Sequence, residues 1–363
     1  MNKRAAHFLL VHELAYSPPN EAIISALLSL GYAVDVYAPG GDFPVDAYGS
    51  NVRALPVHYG CRWLMKHVFS PVWRQYDIFS GTSEYPMGVV GVLSAIYRKP
   101  SFCLADEIRS GSYYGNAPEY WKKLCRWGMR HSAFNIVNDE TRIELQREYA
   151  GLSNKVGVLV YPGCFREPPS AIDKKAERVR WGIPEDAFVV GHSGWLNFMT
   201  GVDWVLEGLK MYPDSYAVLQ PMRLEAITRY LIENFVAGDR LFIEGNRLSW
   251  KESWASMSAV DVGVVVYRNR GPQFQHMGTS SNKLCMFLAM GVPVIALRQN
   301  SFKFIEDYEC GVLVETEDQF LDAIDKVKAN FSTMKQNVLR CTAEYINVLE
   351  RYRVLKEQIA RLG

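Results

Sequence analysis

The stretch Asp261–Leu297 reads DVGVVVYRNRGPQFQHMGTSSNKLCMFLAMGVPVIAL. It opens on a valine-rich run, Asp261–Tyr267, whose continuous apolar character marks a strand buried on both faces. A long polar loop follows. Lys283–Met290 then has apolar residues at helical spacing and is stopped by Gly291. Val292–Leu297 is the next strand. Thr279, Ser280, Ser281 and Asn282 are N-cap types placed where the helix opens. A helix start at the carboxyl end of a buried strand offers unpaired N–H groups and a positive dipole end, which suits a phosphate. Lys283 adds a full charge in the first turn. Arg268 and Arg270 lie on the loop before it, and Arg298 follows the next strand. Taken singly, the Ser/Thr/Asn cluster reads as a cap and the arginines as solvated loop residues. Taken together at one helix start, four cations favour a diphosphate ligand.

The same strand–helix alternation extends in both directions. Toward the N-terminus, strands are expected at Ala6–Val11, Ala33–Tyr37, Tyr76–Phe79, Ser101–Leu104, Phe134–Val137 and Val156–Val160, with a helix at Glu21–Leu30. The alternation stops at PGCFREPPSAIDKK (162–175), which holds three prolines and reads as a linker. It restarts with strands at Ala187–Gly191, Tyr216–Leu219 and Leu241–Ile243 and helices at Val202–Met211 and near Leu224–Phe235. From about Ser332 the chain closes in helix. This is the rhythm of an α/β protein with two Rossmann-like parallel sheets. The expected division is an N-terminal domain over 1–163, a linker over 164–176, a second domain over 177–335, and a C-terminal helix over 336–363 packing back toward the first domain. Ligands of such sheets bind beyond the carboxyl strand ends, so a cleft between two facing domains is the natural site.

The chain has 363 residues, 48% apolar and 22% charged, with 40 basic and 39 acidic side chains. That composition excludes a disordered chain. A net charge of +1 gives no global field for nucleic acid. Lys3 and Arg4 precede a short apolar run, but His12 and Glu13 break it, so it reads as a first strand rather than a signal peptide. No apolar stretch approaches the ~18 residues of a membrane span. Seven cysteines without CxxC spacing point to reduced thiols in the cytoplasm, not to disulfides or zinc. The histidines show no metal-ligand spacing, and no DxD-type carboxylate pair is present; Asp173 reads as a linker residue. His192 sits two residues before Gly194 and reads as a half-buried, satisfied histidine.

TSSNKLCMFLAMGVPVIAL (279–297) resembles the nucleotide-binding motif of GT-B glycosyltransferases, most of all family 4 of the retaining enzymes. GHSGWLNFMTGVDWVLEGL (191–209) resembles the first strand, glycine turn and helix of their donor domain. YDIFSGTSEYP (76–86), RKPSFCLADEI (98–108) and IVNDETRIELQREY (136–149) resemble strand ends and a helix of their acceptor domain. The resemblance implies transfer of a sugar from a nucleotide-diphosphate donor, with retention and with no cofactor required. Thr279, Ser280, Ser281, Asn282 and Lys283 would face the diphosphate and ribose. Gly194, Trp195 and Asn197 would lie against the donor phosphates. Asp106 and Glu107 would face the reacting sugar, although a pair of loop or helix-start carboxylates is an equal reading of those two residues. Lys283, with Arg268 or Arg270, would stabilise the leaving group. Several positions depart from the family pattern: AYSPPN (15–20) stands where an N-terminal Gly-Gly turn is usual, and Ala105 where the family has a strand-end histidine. Met286 stands where a ribose-binding glutamate is usual, and Trp195 and Thr200 replace a basic pair. Trp195 reads either as a stacking face or as core.

The implied partners are a nucleotide sugar and a glycan or lipid-linked acceptor of bacterial surface polysaccharide. Two N-terminal segments, 61–76 and 119–131, mix basic and aromatic residues. They read as a peripheral contact with the inner face of the cytoplasmic membrane or as packing aromatics with solvated basic flanks. A sugar-nucleotide epimerase of the same architecture and a degenerate, transferase-like binding module are the alternatives.

Overall fold

A computed structural model describes residues 3–10, 17–41, 43–107, 118–167, 173–224, 226–235, 238–244, 248, 250–268 and 271–363. The described chain forms two compact units. One contains Met1–Arg166 and Val348–Gly363, the other Glu167–Asn347.

The first unit is built on seven parallel strands, β1 (Arg4–Phe8), β2 (Ala33–Pro39), β3 (Val52–Val57), β4 (Ile78–Thr82), β5 (Ser101–Ala105), β6 (Phe134–Val137) and β7 (Gly157–Val160). Their order is β3-β2-β1-β4-β5-β6-β7. Alternate strand residues enter two separate cores, as the two-residue period of a strand requires. Ala5, Val34, Val36, Phe102 and Leu104 pack in one core with the helices Pro18–Ser29 and Val348–Ala360. Ala6, Phe8, Tyr37, Cys103 and Ala105 pack in the other with the helices Cys61–His67, Met87–Tyr97 and Glu119–His131. The C-terminal helix is tied to this unit by an Arg351–Glu140 ion pair of 2.7 Å and by Arg166 over the Tyr352 ring.

The second unit has six parallel strands, β8 (Phe188–Leu196), β9 (Ser215–Leu224), β10 (Leu241–Ile243), β11 (Val262–Val265), β12 (Val294–Leu297) and β13 (Gly311–Val314), in the order β10-β9-β8-β11-β12-β13. Asp261, just before β11, is an anchor. Its carboxylate accepts from Arg178 Nη2 at 2.6 Å, Lys174 Nζ at 2.5 Å and the Val189 amide at 2.8 Å. Those contacts tie the helix Lys174–Trp181 to the amino ends of the two central strands. Asp173, expected in the linker, instead caps that helix by accepting from the amides of Lys175 and Ala176.

Two edge strands, β3 and β13, were not expected from the sequence. Pro56 interrupts the first, which an edge strand tolerates, and the second is only four residues long. β8 is longer than expected and runs through Gly194 to Leu196.

The helix Asn282–Ala289 lies flush on β11 because residue 263 has no side chain. A Cβ there would fall 2.2 Å from the Phe287 ring. Gly263→Ala is expected to force the helix off the sheet and to cost about 1–3 kcal/mol of stability. Calorimetric unfolding checks this; an unchanged melting temperature would contradict the packing.

Candidate functional site

In both sheets the strand order reverses beside the first strand of the unit, between β8 and β11 in the second. Open parallel sheets carry their ligand crevice at such a switch point, outside the carboxyl ends of the strands. The helix Asn282–Ala289 opens there. Ser281 is its N-cap: the hydroxyl accepts from the Leu284 amide at 3.3 Å and shares a 2.7 Å hydrogen bond with Tyr267 Oη. Among the described residues, the amides of Asn282 and Lys283 have no protein partner. The turn before the helix is held from below, with the Gly278 amide donating to Ser301 Oγ and the Met277 amide to Gln299 Oε1.

Lys283 is 7% exposed. Its ammonium sits 4.7 Å from the centre of the Tyr267 ring and 3.5 Å from His192 Nε2. That nitrogen carries its proton toward the Thr200 carbonyl at 2.6 Å, so it is no acceptor for the lysine. His192 is fully buried, and its pKa lies well below the usual range because of burial and the adjacent lysine charge. Its Nδ1 has no partner among the described residues. Lys283 forms no ion pair among the described residues. Burial pulls its pKa down to about 7.

The other expected cations are differently placed. Arg268 is engaged by Asp203 at 3.0 and 2.7 Å, contacts the Phe198 carbonyl, and lies over the Trp204 ring. Arg298 is engaged by Glu306 at 2.9 and 2.6 Å and by Glu315 at 3.3 Å. Arg270 lies outside the described residues. The four-cation cluster expected from the sequence therefore reduces, among the described residues, to one unpaired ammonium. Both arginines meet carboxylates that spend their charge, Arg268 one that lies 65 residues away and Arg298 one that lies 8 residues away.

The glycine turn is built into β8. Gly194 takes φ +95°, and the β8–β9 register shifts between Gly194 and Trp195. The left-handed backbone, rather than lack of space, asks for glycine at this position. Trp195 is 45% exposed, so it is not core. Asn197 and Thr200 brace the turn: the Asn197 amide donates to Thr200 Oγ1 at 3.3 Å. Ser280 Oγ donates to the Met277 carbonyl, and Thr279 is buried with its carbonyl accepting from Cys285 Sγ. Met286 is buried. Of the four cap-type residues, Asn282 is the exposed one.

In the first unit, the β1–β4 switch point holds a buried neutral network. His7 Nδ1 meets Ser80 Oγ at 2.8 Å, His7 Nε2 meets Asn20 Oδ1 at 2.9 Å, and Thr82 Oγ1 donates to that same oxygen at 2.5 Å. Burial lowers His7 to about 4, so the ring is uncharged near neutral pH. Asp106 directly follows β5 and is nearly buried. Ser83 Oγ donates to its carboxylate at 2.6 Å, and Arg142 Nη1 to its carbonyl at 2.8 Å. Glu107 is half-buried beside it. Ser83 is in the left-handed region at φ +71°, a strained state for serine that clusters at functional sites. Next to it Glu84 is buried and accepts from Tyr149 Oη.

No family model matches this chain, and no curated protein does either. Solved structures do match over nearly its whole length. Sucrose-phosphate synthase from Thermosynechococcus elongatus aligns with a TM-score of 0.72 at 16% identity, covering 99% of both chains. HepE of Anabaena in complex with UDP-glucose aligns at 0.70 and 16%, covering 98% of this chain and 99% of that one. The UDP-GlcNAc 2-epimerase of Neisseria meningitidis bound to UDP-GlcNAc aligns at 0.67 and 12%, covering 99% and 100%. The fold is GT-B. Within this GT-B chain, sequence reasoning did not single out Tyr267, Ser83, Glu84, Tyr149 or Arg142, which the fold places beside the candidate residues. Ser83 and Glu84 stood inside the quoted strand-end motif, but nothing in it signalled a positive φ or a buried carboxylate.

The unpaired ammonium has a consequence for stability. With its pKa near 7 instead of the ordinary 10.5, Lys283 binds its proton less tightly in the native state than in the unfolded chain. The penalty is complete below about pH 7 and fades as the pH rises toward 10.5. Lys283→Met, uncharged and of similar length, is expected to raise the melting temperature at pH 6, with a gain that shrinks by pH 9. Equal melting temperatures at pH 6 would contradict a buried, unpaired charge.

Proposed function

We propose that the protein is a glycosyltransferase that moves a sugar from a nucleotide-diphosphate donor to a glycan or lipid-linked acceptor. The proposal includes retention of anomeric configuration, a role in bacterial surface polysaccharide synthesis and a cytoplasmic site of action. The observation that carries it is the Lys283 ammonium, buried at a helix N-terminus beside the sheet's switch point and without a counter-ion among the described residues. A diphosphate supplies the missing negative charge, and the two amides at that helix start without a partner among the described residues donate to its oxygens.

In this reading the glycosidic C–O bond to the diphosphate breaks, and negative charge gathers on the leaving oxygen. Lys283 and the amides of Asn282 and Lys283 stabilise that charge, most strongly because they are held in place before the charge develops. The acceptor hydroxyl forms the new bond on the same face, and its proton passes to the departing phosphate oxygen. Asp106, oriented by Ser83, directs the acceptor and steadies the cationic sugar. Glu107 assists in the same role. Trp195 offers an exposed ring to the sugar. The reading asks for no further cofactor.

UDP sugars are the first donors to test, because the HepE and epimerase structures are described with them. The assay measures free nucleoside diphosphate from a panel of sugar nucleotides, with and without acceptor lipid or glycan. Acceptor-dependent release is the expected result. Sugar isomerisation without release would establish an epimerase instead, and binding without turnover a non-catalytic module. Lys283→Met is expected to lower the release rate by roughly 100- to 1000-fold. A rate within about threefold of the unaltered protein would discard the lysine's role.

A further inference from the structure

Between Cys61 and Tyr76 the chain has no acidic residue. The helix Cys61–His67 turns Leu64 and Val68 into the core beneath it. At 3.6 residues per turn, Arg62, Met65 and Lys66 then fall on the side away from that core, and Phe69 stands in the turn that follows the helix. After Pro71 the chain turns Trp73 inward, leaving Val72 and Arg74 outside. Met65, Phe69 and Val72 are 69%, 79% and 42% exposed. Arg62, Lys66 and Arg74 are exposed, and none is in an ion pair among the described residues.

This presentation is rigid. Trp73 Nε1 donates to the His67 carbonyl at 2.6 Å, and Tyr97 Oη reaches the carbonyls of Val68 and Ser70 at 2.9 and 3.0 Å. Trp63 stacks on His67 at 4.5 Å. The three apolar side chains protrude from a fixed scaffold. Single exposed hydrophobics need no explanation, but a cluster rimmed by charge marks an interaction surface.

We propose that this face docks the protein onto an anionic lipid bilayer. Met65, Phe69 and Val72 enter the boundary between headgroups and acyl chains, and Arg62, Lys66 and Arg74 meet the lipid phosphates. Charge decides the occupant. A two-fold copy of the chain would set three cations against three cations, whereas an anionic membrane offers both a negative layer and an apolar one. Among the described residues no helix is long and apolar enough to cross a membrane. The surface differs from the aromatic one expected from the sequence. Trp73 and Trp121 are buried, 2% and 1% exposed, and Arg126 in the 119–131 segment is paired with Glu119. The inference does not depend on glycosyl transfer.

Co-sedimentation with phosphatidylcholine vesicles, with and without phosphatidylglycerol, tests it on the full chain. The unaltered protein is expected to sediment only with the anionic vesicles and to be released by high salt. The R62Q/K66Q/R74Q variant is expected to lose about 100-fold in partitioning, and M65S/F69S/V72S about tenfold or more. All six positions are exposed, so unchanged melting temperatures separate lost binding from lost folding. A tryptophan placed by F69W is expected to shift its emission to the blue with anionic vesicles only. Equal partitioning of all variants, or an unshifted F69W spectrum, would overturn the proposal. So would a lipid-free dimer that M65S/F69S/V72S dissociates.

Discussion

A positive charge kept inside a protein without a carboxylate is costly, and the donor-domain reading depends on that cost at Lys283. Burial alone takes its pKa down to about 7. The neighbours soften the penalty without removing it. The Tyr267 ring presents its negative face, while His192 stays neutral and already donates to Thr200. Folding alone would be served better by an apolar residue here. In our reading, the ammonium is retained because an anionic ligand completes it, so binding and ground-state cost are the same interaction seen from two sides.

The rest of the second unit holds that lysine in place. Gly263 lets the helix Asn282–Ala289 settle against β11. Ser281 closes the helix start and links it to Tyr267. Gln299 and Ser301, from the loop after β12, brace the turn before the helix. Asp261 fixes the other end of β11 through Arg178 and Lys174. In the first unit Ser83 does comparable work by linking the end of β4 to Asp106 at a strained backbone angle.

Legibility from sequence followed the range of the forces. The central strands were readable because a run such as VGVVV has one environment, buried on both faces. The helix at 282–289 was readable because its cap, apolar spacing and terminal glycine are all local. β3 and β13 escaped because an edge strand tolerates Pro56 and needs only four residues. Arg268 and Arg298 looked like ligand clamps because a sequence displays charges but not their partners. Asp203 lies 65 residues from Arg268, and nothing local announces that pair. Trp73 and Trp121 looked amphipathic beside basic neighbours, yet the fold turns both rings inward. Met65 and Phe69, ordinary in the sequence, became informative only once their exposure was known.

The most direct test of the central claim is a calorimetric titration of the full chain with nucleoside diphosphates, UDP first, at pH 8 in buffers of different ionisation enthalpy. A lysine whose free pKa is about 7 is mostly neutral there and must be charged to hold a diphosphate. The account predicts uptake of nearly one proton on binding, abolished together with most of the affinity by Lys283→Met. Binding with no proton uptake, or equal affinity in the variant, would contradict it.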